Sequence, residues 1–233
     1  MSSLGLPAQP GLVAVGDSIT NGRGAPVMGV PCRSWAQWLA DVLGLPFHGL
    51  AEDGAVAADV VDRQLPRVRF AYGVGVVYAG VNDVRHVDFD AQAFADSLAT
   101  IAGHVGAHAD VLLLCTIPLD LGRPRAGAAK VTDANAVITA VAAEHEAAVV
   151  DLTDLTGWRL VLPDAVHPTA LGQLEIADRA ARALALETLP SALARRDDGR
   201  RATARYALTS HLPAVGRDRR RRVAEAAGRR LGR

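Results

Sequence analysis

Five short, mostly apolar runs recur along the first two thirds of the chain, and polar residues follow each of them. The runs cover residues 12–15, 46–50, 74–79, 110–115 and 148–151 and are too short for helices, so they predict strands. Segments with apolar residues at helical spacing alternate with them, over 34–43, 57–65, 90–105, 131–147 and 169–186. Apolar strands that alternate with helices are typical of a parallel sheet with helices on both faces.

Polar residues stand at the points where the predicted strands end. Asp17 and Ser18 follow the first strand, Gly54 lies in the loop after the second, and Asn82 and Asp83 follow the third. In open parallel sheets, ligands bind outside the carboxyl ends of the strands. We therefore expect these residues to contribute to one site, together with the loop that follows the fifth strand.

Ser18 stands in the run Gly16-Asp17-Ser18-Ile19, at a predicted corner between a strand and a helix. Such a corner exposes the serine hydroxyl and directs its backbone N–H into the site, which suits a nucleophile. The alternative is a plain helix N-cap, because serine is also a preferred capping residue.

Asp164 and His167 lie three residues apart, in Asp164-Ala165-Val166-His167-Pro168, and can meet across a single turn. The carboxylate can then hold the Nδ1 proton of the imidazole and leave Nε2 free to accept a proton from a serine. A serine hydroxyl is a poor nucleophile without such a base. Taken alone, this spacing is weak evidence, since a histidine near a helix start is common.

Three donors in these loops can stabilise the oxyanion of an acyl-transfer reaction: the N–H of Ser18, the N–H of Gly54 and the side-chain amide of Asn82. Two of them also have an ordinary interpretation, since Gly54 can be a turn glycine and Asn82 can form an Asx turn. Asp17 and Asp83 are weaker candidates, which we expect to support the Ser18 loop and Asn82.

Four sequence blocks together resemble the SGNH (GDSL-type) hydrolase family, in the family's order and over about residues 11–186. The blocks are Gly16-Asp17-Ser18-Ile19, Gly54, Gly80-x-Asn82-Asp83 and Asp164-x-x-His167-Pro168. The resemblance implies an α/β fold, a flavodoxin-like three-layer α/β/α sandwich with a five-stranded parallel sheet.

The resemblance also implies a role for each site residue. Ser18 would be the nucleophile, His167 the general base and then acid, and Asp164 the residue that orients the histidine. The oxyanion hole would consist of Ser18, Gly54 and Asn82. Neither a metal nor an organic cofactor is implied.

One departure from the family pattern lies just before Gly54, where Glu52 and Asp53 place two carboxylates beside an expected oxyanion donor. Negative charge there opposes a developing oxyanion unless the side chains point to solvent. The plain interpretation is a pair of solvated loop acids. The sharper hypothesis is that one of them binds a cationic or hydroxyl-rich part of the substrate.

The net charge of zero conceals an uneven distribution along the chain. Residues 1–189 carry 12 Lys+Arg against 21 Asp+Glu, a net charge of −9, whereas residues 190–233 carry 13 Arg against 4 Asp+Glu, a net charge of +9. We therefore predict a hydrolase domain over 1–189 and an arginine-rich C-terminal extension over 190–233. The extension should form helices over 202–212, ending at Pro213, and over 217–231.

Such a basic extension has three candidate partners. Its arginines can bind the phosphates of nucleic acid or the headgroups of an anionic membrane. Alternatively, the extension can dock on the acidic body of its own or a neighbouring subunit, which would support self-association. The opposite charges of the two parts favour docking.

The remaining composition favours a cytoplasmic protein. Residues 1–11 lack the charged and apolar regions of a signal peptide, and no run of about 18 apolar residues occurs. Cys32 and Cys115 are the two cysteines, and their spacing indicates neither a disulfide nor a metal site.

The whole pattern predicts a serine hydrolase that cleaves carboxylic esters of small or medium acyl groups through an acyl-enzyme on Ser18. A carbohydrate or natural-product O-deacetylase is the alternative, and a long-chain lipase ranks third. The candidate from another class is a non-catalytic binding module that presents the basic extension to nucleic acid or a membrane.

Overall fold

The five apolar runs form one parallel sheet in the computed structural model, which describes residues 10–121, 127–195 and 199–231, without the side chains of residues 222 and 224–231. The strands are β1 (Gly11–Gly16), β2 (Phe47–Gly49), β3 (Tyr72–Tyr78), β4 (Ala109–Cys115) and β5 (Ala148–Val150). Neighbouring strands are all parallel, in the order β2-β1-β3-β4-β5, which is the order of flavodoxin-like folds. The predicted fold class is confirmed.

Helices cover both faces of the sheet. They are α1 (Trp35–Leu43), α2 (Ala57–Asp59), α3 (Ala91–Gly106), α4 (Ala128–Glu144) and α5 (Ala170–Ala183), followed by α6 (Arg200–Tyr206) and α7 (Leu212–Leu231). On one face α1 packs against α5, and on the other α3 packs against α2 and α4. The side chains of Leu12 and Val15 in β1 are fully buried between these layers. Among the helices of the described chain, none is long and apolar enough to cross a membrane.

The predicted helix over 131–147 lies three residues too far along the chain, since α4 spans Ala128–Glu144. Glu146 adopts a left-handed conformation with a φ of 53°, and this turn brings the chain from α4 into β5. The prediction left no residue for such a turn. The sequence also predicts a loop over 117–128 and a linker over 195–201. Residues 122–126 of that loop, residues 196–198 of that linker and residues 1–9 of the N-terminal segment lie outside the described residues, and residues 200 and 201 belong to α6 and not to a linker.

The predicted helix over 57–65 is α-helical only at its start. From α2 the chain continues as a π-helical turn (Val60–Gln64) and a 3-10 turn (Leu65–Arg67). In the π turn the N–H of Leu65 donates to the carbonyl of Val60, five residues back, and Pro66 follows. Proline has no N–H and clashes with the carbonyl four residues back in an α-helix. A wider turn before it therefore keeps the chain helical.

The same arrangement corrects the prediction for the C-terminal extension over 190–233, which is called the C-terminal segment from here on. We expected Pro213 to break the helix, but the chain stays helical from α6 through a π turn (Ala207–His211) into α7. The N–H of Leu212 donates to the carbonyl of Ala207, five residues back. Pro213 then falls in the first turn of α7, directly after the widened turn, which gives its ring room within a continuous helical segment.

Candidate active site

The chain leaves β1 at Gly16 and turns into the loop that carries Ser18. Gly16 has a φ of 140°, and a Cβ atom at this position would overlap the carbonyl oxygen of Tyr78 in the neighbouring strand. Only glycine fits this turn. The turn brings Ser18 to the carboxyl end of the sheet, where the residue is 5 % exposed.

A chain of hydrogen bonds joins Ser18, His167 and Asp164. Ser18 Oγ lies 3.0 Å from His167 Nε2, and His167 Nδ1 lies 2.7 Å from Asp164 Oδ2. A carboxylate can only accept, so Nδ1 carries the imidazole proton and Nε2 accepts from the Ser18 hydroxyl. This arrangement can remove a proton from the serine as its oxygen attacks a carbonyl.

The Asp164 carboxyl is held in its ionised form. Burial opposes its charge, but hydrogen bonds from the His167 ring and from the N–H groups of Val166 and His167 outweigh burial and lower the pKa of Asp164 from 3.8 to about 2. Between these partners, Ala165 adopts a left-handed φ of 55°, which is strained for a residue other than glycine. The carboxylate can therefore stabilise the imidazolium that forms when His167 takes a proton.

The predicted oxyanion donors have hydrogen-bonding capacity left for a ligand. No acceptor in the described part of the chain pairs with the N–H of Ser18 or of Gly54. Gly54 is exposed and has a φ of 79°, a conformation that glycine adopts without strain. The Asn82 amide donates one proton to the carbonyl of Ala55 at 2.9 Å and retains the second.

Two contacts fasten the loop after β2 to the loop after β3. The first is the bond from Asn82 to Ala55, and the second runs from the N–H of Ala57 to the Asp83 carboxylate, whose oxygens lie at 3.0 and 3.3 Å. Burial raises the pKa of Asp83, and the bond from Ala57 opposes that rise. Because Ala55 follows Gly54 directly and Ala57 lies in the next turn of the chain, these bonds fix the position of Gly54 relative to Asn82.

Asp17 lies beneath the serine and does not reach the surface. One carboxylate oxygen accepts from the N–H of Ile19 at 2.9 Å, whereas the other is buried without a partner among the described residues. Burial raises the pKa of Asp17 from 3.8 to about 7, against the lowering effects of the Ile19 bond and the charge of His167. Asp17 therefore holds the Ser18 loop through its bond from Ile19, and its buried carboxyl group resists ionisation.

Arginines neutralise the two carboxylates that depart from the family pattern. Asp53 lies 2.8 Å from Arg23, and Glu52 lies 3.3 Å from Arg63 and 3.4 Å from Arg67. These partners offset the negative charge beside the oxyanion donors, and they favour the plain interpretation of Glu52 and Asp53 as loop acids. No group of His, Cys, Asp and Glu side chains that could hold a metal ion occurs among the residues described.

The model of the GDSL-like Lipase/Acylhydrolase family matches residues 14–174. The chain belongs to this family. Membership makes it an ester-cleaving serine hydrolase, as the resemblance predicted, and so decides between the enzyme and the non-catalytic module. The matched span holds all the site residues described above, and the arginine-rich C-terminal segment lies outside it. A search of curated proteins finds no match.

Solved structures share the fold of this chain. The acetylxylan esterase Axe2 of Geobacillus stearothermophilus is 17 % identical, with a TM-score of 0.59 over 77 % of this chain and 95 % of the esterase. The α/β hydrolase LAE5 from the metagenome of Lake Arreo, Spain, is 19 % identical, with a TM-score of 0.61 over 77 % of this chain and 96 % of the hydrolase. At this identity the likeness establishes the fold alone.

Two buried glutamines hold the Ser18 loop, and the sequence analysis identifies neither of them. Gln64 accepts from the N–H of Gly16 and donates to its carbonyl, both at 2.8 Å. Gln173 in α5 accepts from the N–H of Trp35 at 2.8 Å and donates to the carbonyl of Ile19 at 2.9 Å. Both glutamines are fully buried. The signal in the sequence is an amide within an otherwise apolar helix face, and an amide carries neither the charge nor the nucleophilicity that distinguishes the other site residues.

Proposed function

We propose that Ser18 is the nucleophile of a two-step ester hydrolysis. His167 takes the hydroxyl proton as Ser18 Oγ attacks the ester carbonyl, and Asp164 stabilises the resulting imidazolium. The tetrahedral intermediate collapses, His167 gives the proton to the leaving alcohol, and the acyl group stays on Ser18. A water activated by His167 then releases the acid and restores the serine.

In the same proposal, the charge that develops on the carbonyl oxygen is stabilised by the N–H of Ser18, the N–H of Gly54 and the second amide proton of Asn82. Donors that are already fixed in place need no reorganisation as this charge forms, which makes such a site effective. The bonds from Asn82 to Ala55 and from Ala57 to Asp83 support this assignment, because they restrain two of the donors.

The observation that carries the proposal is the unbroken chain from Ser18 through His167 to Asp164, with distances of 3.0 and 2.7 Å. Hydrolysis of p-nitrophenyl acetate, butyrate and octanoate tests it in wild type and Ser18→Ala. Loss of the nucleophile should lower kcat by about a thousandfold or more. Ser97→Ala, which removes a hydroxyl from α3 that bonds to its own helix, is the matched control. Full activity of Ser18→Ala would refute the assignment.

We propose carboxylic esters of small or medium acyl groups as the substrates. The second candidate is a carbohydrate O-deacetylase, favoured by the likeness to an acetylxylan esterase that extends over 95 % of that enzyme. Acetylated xylooligosaccharides and the p-nitrophenyl series distinguish the two. A kcat/KM that is highest on the acetylated sugar and falls sharply from acetate to butyrate would support the deacetylase. Comparable or higher values on butyrate and octanoate would support the esterase.

We also propose a cytoplasmic location, because both cysteines are free thiols and Cys115 is buried in the sheet. Detection of the enzyme only outside the cytoplasmic fraction of its cells would contradict this. Self-association of the arginine-rich segment and its binding to nucleic acid or an anionic membrane stay predictions from charge. Size-exclusion chromatography, and binding to DNA and to anionic vesicles over a range of salt concentrations, test them.

A further inference from the structure

The loop that carries Asp164 and His167 runs over a cavity of about 270 Å³. One side of the cavity is lined by Pro163, Ala165 and Val166 of this loop. On the other side the cavity reaches the buried side chain of Tyr78. Protein interiors are normally filled at close packing. Leu160, Val161 and Val166 pack against the core, but the cavity leaves part of the space beneath the loop unfilled, so packing from below restrains the loop only in part.

The C-terminal segment supports this loop from outside, through three rings that we call the aromatic trio: Trp158, Tyr206 and His211. Trp158, at the start of the loop, stacks on Tyr206 with ring centroids 5.9 Å apart and planes inclined by 14°. The ring centroid of His211 lies 5.3 Å from that of Trp158, and His211 also lines the cavity. Tyr206 is 6 % exposed and belongs to the main hydrophobic core. An aromatic contact of this kind stabilises the docking of α6 on the loop.

Two crevices lie between the C-terminal segment and the loops of the site. Pro163 and Asp164 share a crevice of about 240 Å³ with Ala214 of α7. Met28, in the loop after Ser18, lines another crevice together with Tyr206. The segment therefore borders both the loop that follows the nucleophile and the loop that carries its acid–base partners.

We propose that the C-terminal segment is a positioning element for the active site, and that Tyr206 acts through Trp158 to hold the loop of Asp164 and His167 in register with Ser18. The proposal rests on the proposed catalytic roles. It assigns a function to a part of the chain that the family model does not match. The bond between Ser18 and His167 depends on the position of this loop, and a displacement of about 1 Å can lower the rate by about a hundredfold.

Tyr206→Ala tests the proposal, with Tyr206→Phe as the conservative variant. Removing the ring should lower kcat on p-nitrophenyl acetate by about 10- to 100-fold, with little change in KM, because the reacting groups are misaligned and binding is not lost. The phenylalanine variant keeps the stack and should stay within about twofold of wild type. Leu208→Ala is the matched control, since Leu208 lies on the same helical segment and is 66 % exposed.

Hydrogen exchange of residues 157–168 provides a readout that does not depend on ester turnover. In Tyr206→Ala, exchange in this loop should become at least about tenfold faster, while exchange in β1 and β3 stays as in wild type. Unchanged loop exchange in Tyr206→Ala, or faster exchange with full activity, would overturn the proposal. Absence of Ser18-dependent turnover in wild type would refute the proposed function instead, and the loop exchange would still report whether the segment holds the loop.

Discussion

The buried carboxyl of Asp17 should make the stability of this enzyme fall as the pH rises. One of its oxygens accepts from the N–H of Ile19, and the other has no partner among the described residues. In Asp17→Asn the amide oxygen can still accept from Ile19, so the substitution removes the ionisable proton and leaves the loop contact. The variant therefore isolates the effect of the charge.

The magnitude follows from the two pKa values. The folded protein holds the Asp17 proton with a pKa of about 7, against 3.8 for an unperturbed carboxyl. At 1.36 kcal/mol per pKa unit, ionising the buried group costs roughly 4 kcal/mol relative to the unfolded chain. The raised pKa means that stability is fully present below about pH 4 and is lost as the pH rises through about 7. For a domain of this size, 4 kcal/mol corresponds to a shift in Tm on the order of 10 °C.

Urea unfolding of wild type and Asp17→Asn at pH 4, 6 and 8 measures this difference. Near pH 4 the two proteins should have similar free energies of unfolding, and at pH 8 the variant should be the more stable by several kcal/mol. Asp133→Asn on the exposed side of α4 is the control for loss of one carboxyl. A difference between wild type and Asp17→Asn that is the same at pH 4 and pH 8 would refute the reasoning.

Two further substitutions test the supports of the site. The pKa of Asp164 is lowered from 3.8 to about 2, so its ionised carboxylate should contribute roughly 2 kcal/mol to the free energy of unfolding. This contribution is present above about pH 4 and is lost as the pH falls through about 2. The stability of Asp164→Asn should therefore lack this fall at acid pH. An identical acid transition in wild type and Asp164→Asn would contradict this. Gln64→Met removes both bonds to Gly16 and leaves a buried N–H unpaired, which should cost roughly 2–4 kcal/mol in urea unfolding and lower kcat. A loss below about 1 kcal/mol would show that the Gly16 backbone finds other partners.

Most of the fold could be predicted because its signals are local. The apolar runs of the buried strands stand out from the helices between them, and a parallel sheet follows from their alternation. The ends of the helices are harder to predict than their presence, as Glu146 shows, because a left-handed residue other than glycine has no distinctive sequence signal. Proline predicts the end of a helix, as at Pro213, whereas the widened turns that accommodate Pro66 and Pro213 depend on backbone adjustments that composition does not record.

For the site, the sequence identified the residues that the structure brings together at the carboxyl end of the sheet. Ser18, Asp164 and His167 could be singled out because nucleophile and base chemistry restricts the residue types that can serve. The sequence did not show how Glu52 and Asp53 are neutralised, because their arginine partners come from other loops and helices. Contacts of this kind depend on the folded arrangement and not on spacing along the chain.

The precision of the site depends on residues with no chemistry of their own. Gln64 and Gln173 reach the Ser18 loop from segments 48 and 154 residues away and satisfy its backbone groups from the two sides. A polar group in a core is costly unless it is paired, so each glutamine is stable only while the loop keeps its position. In the C-terminal segment a ring contact plays a comparable part, since Tyr206 stacks on Trp158; docking of its arginines on the acidic body stays a prediction from charge. Paired amides from two distant segments therefore fix the position of the Ser18 loop.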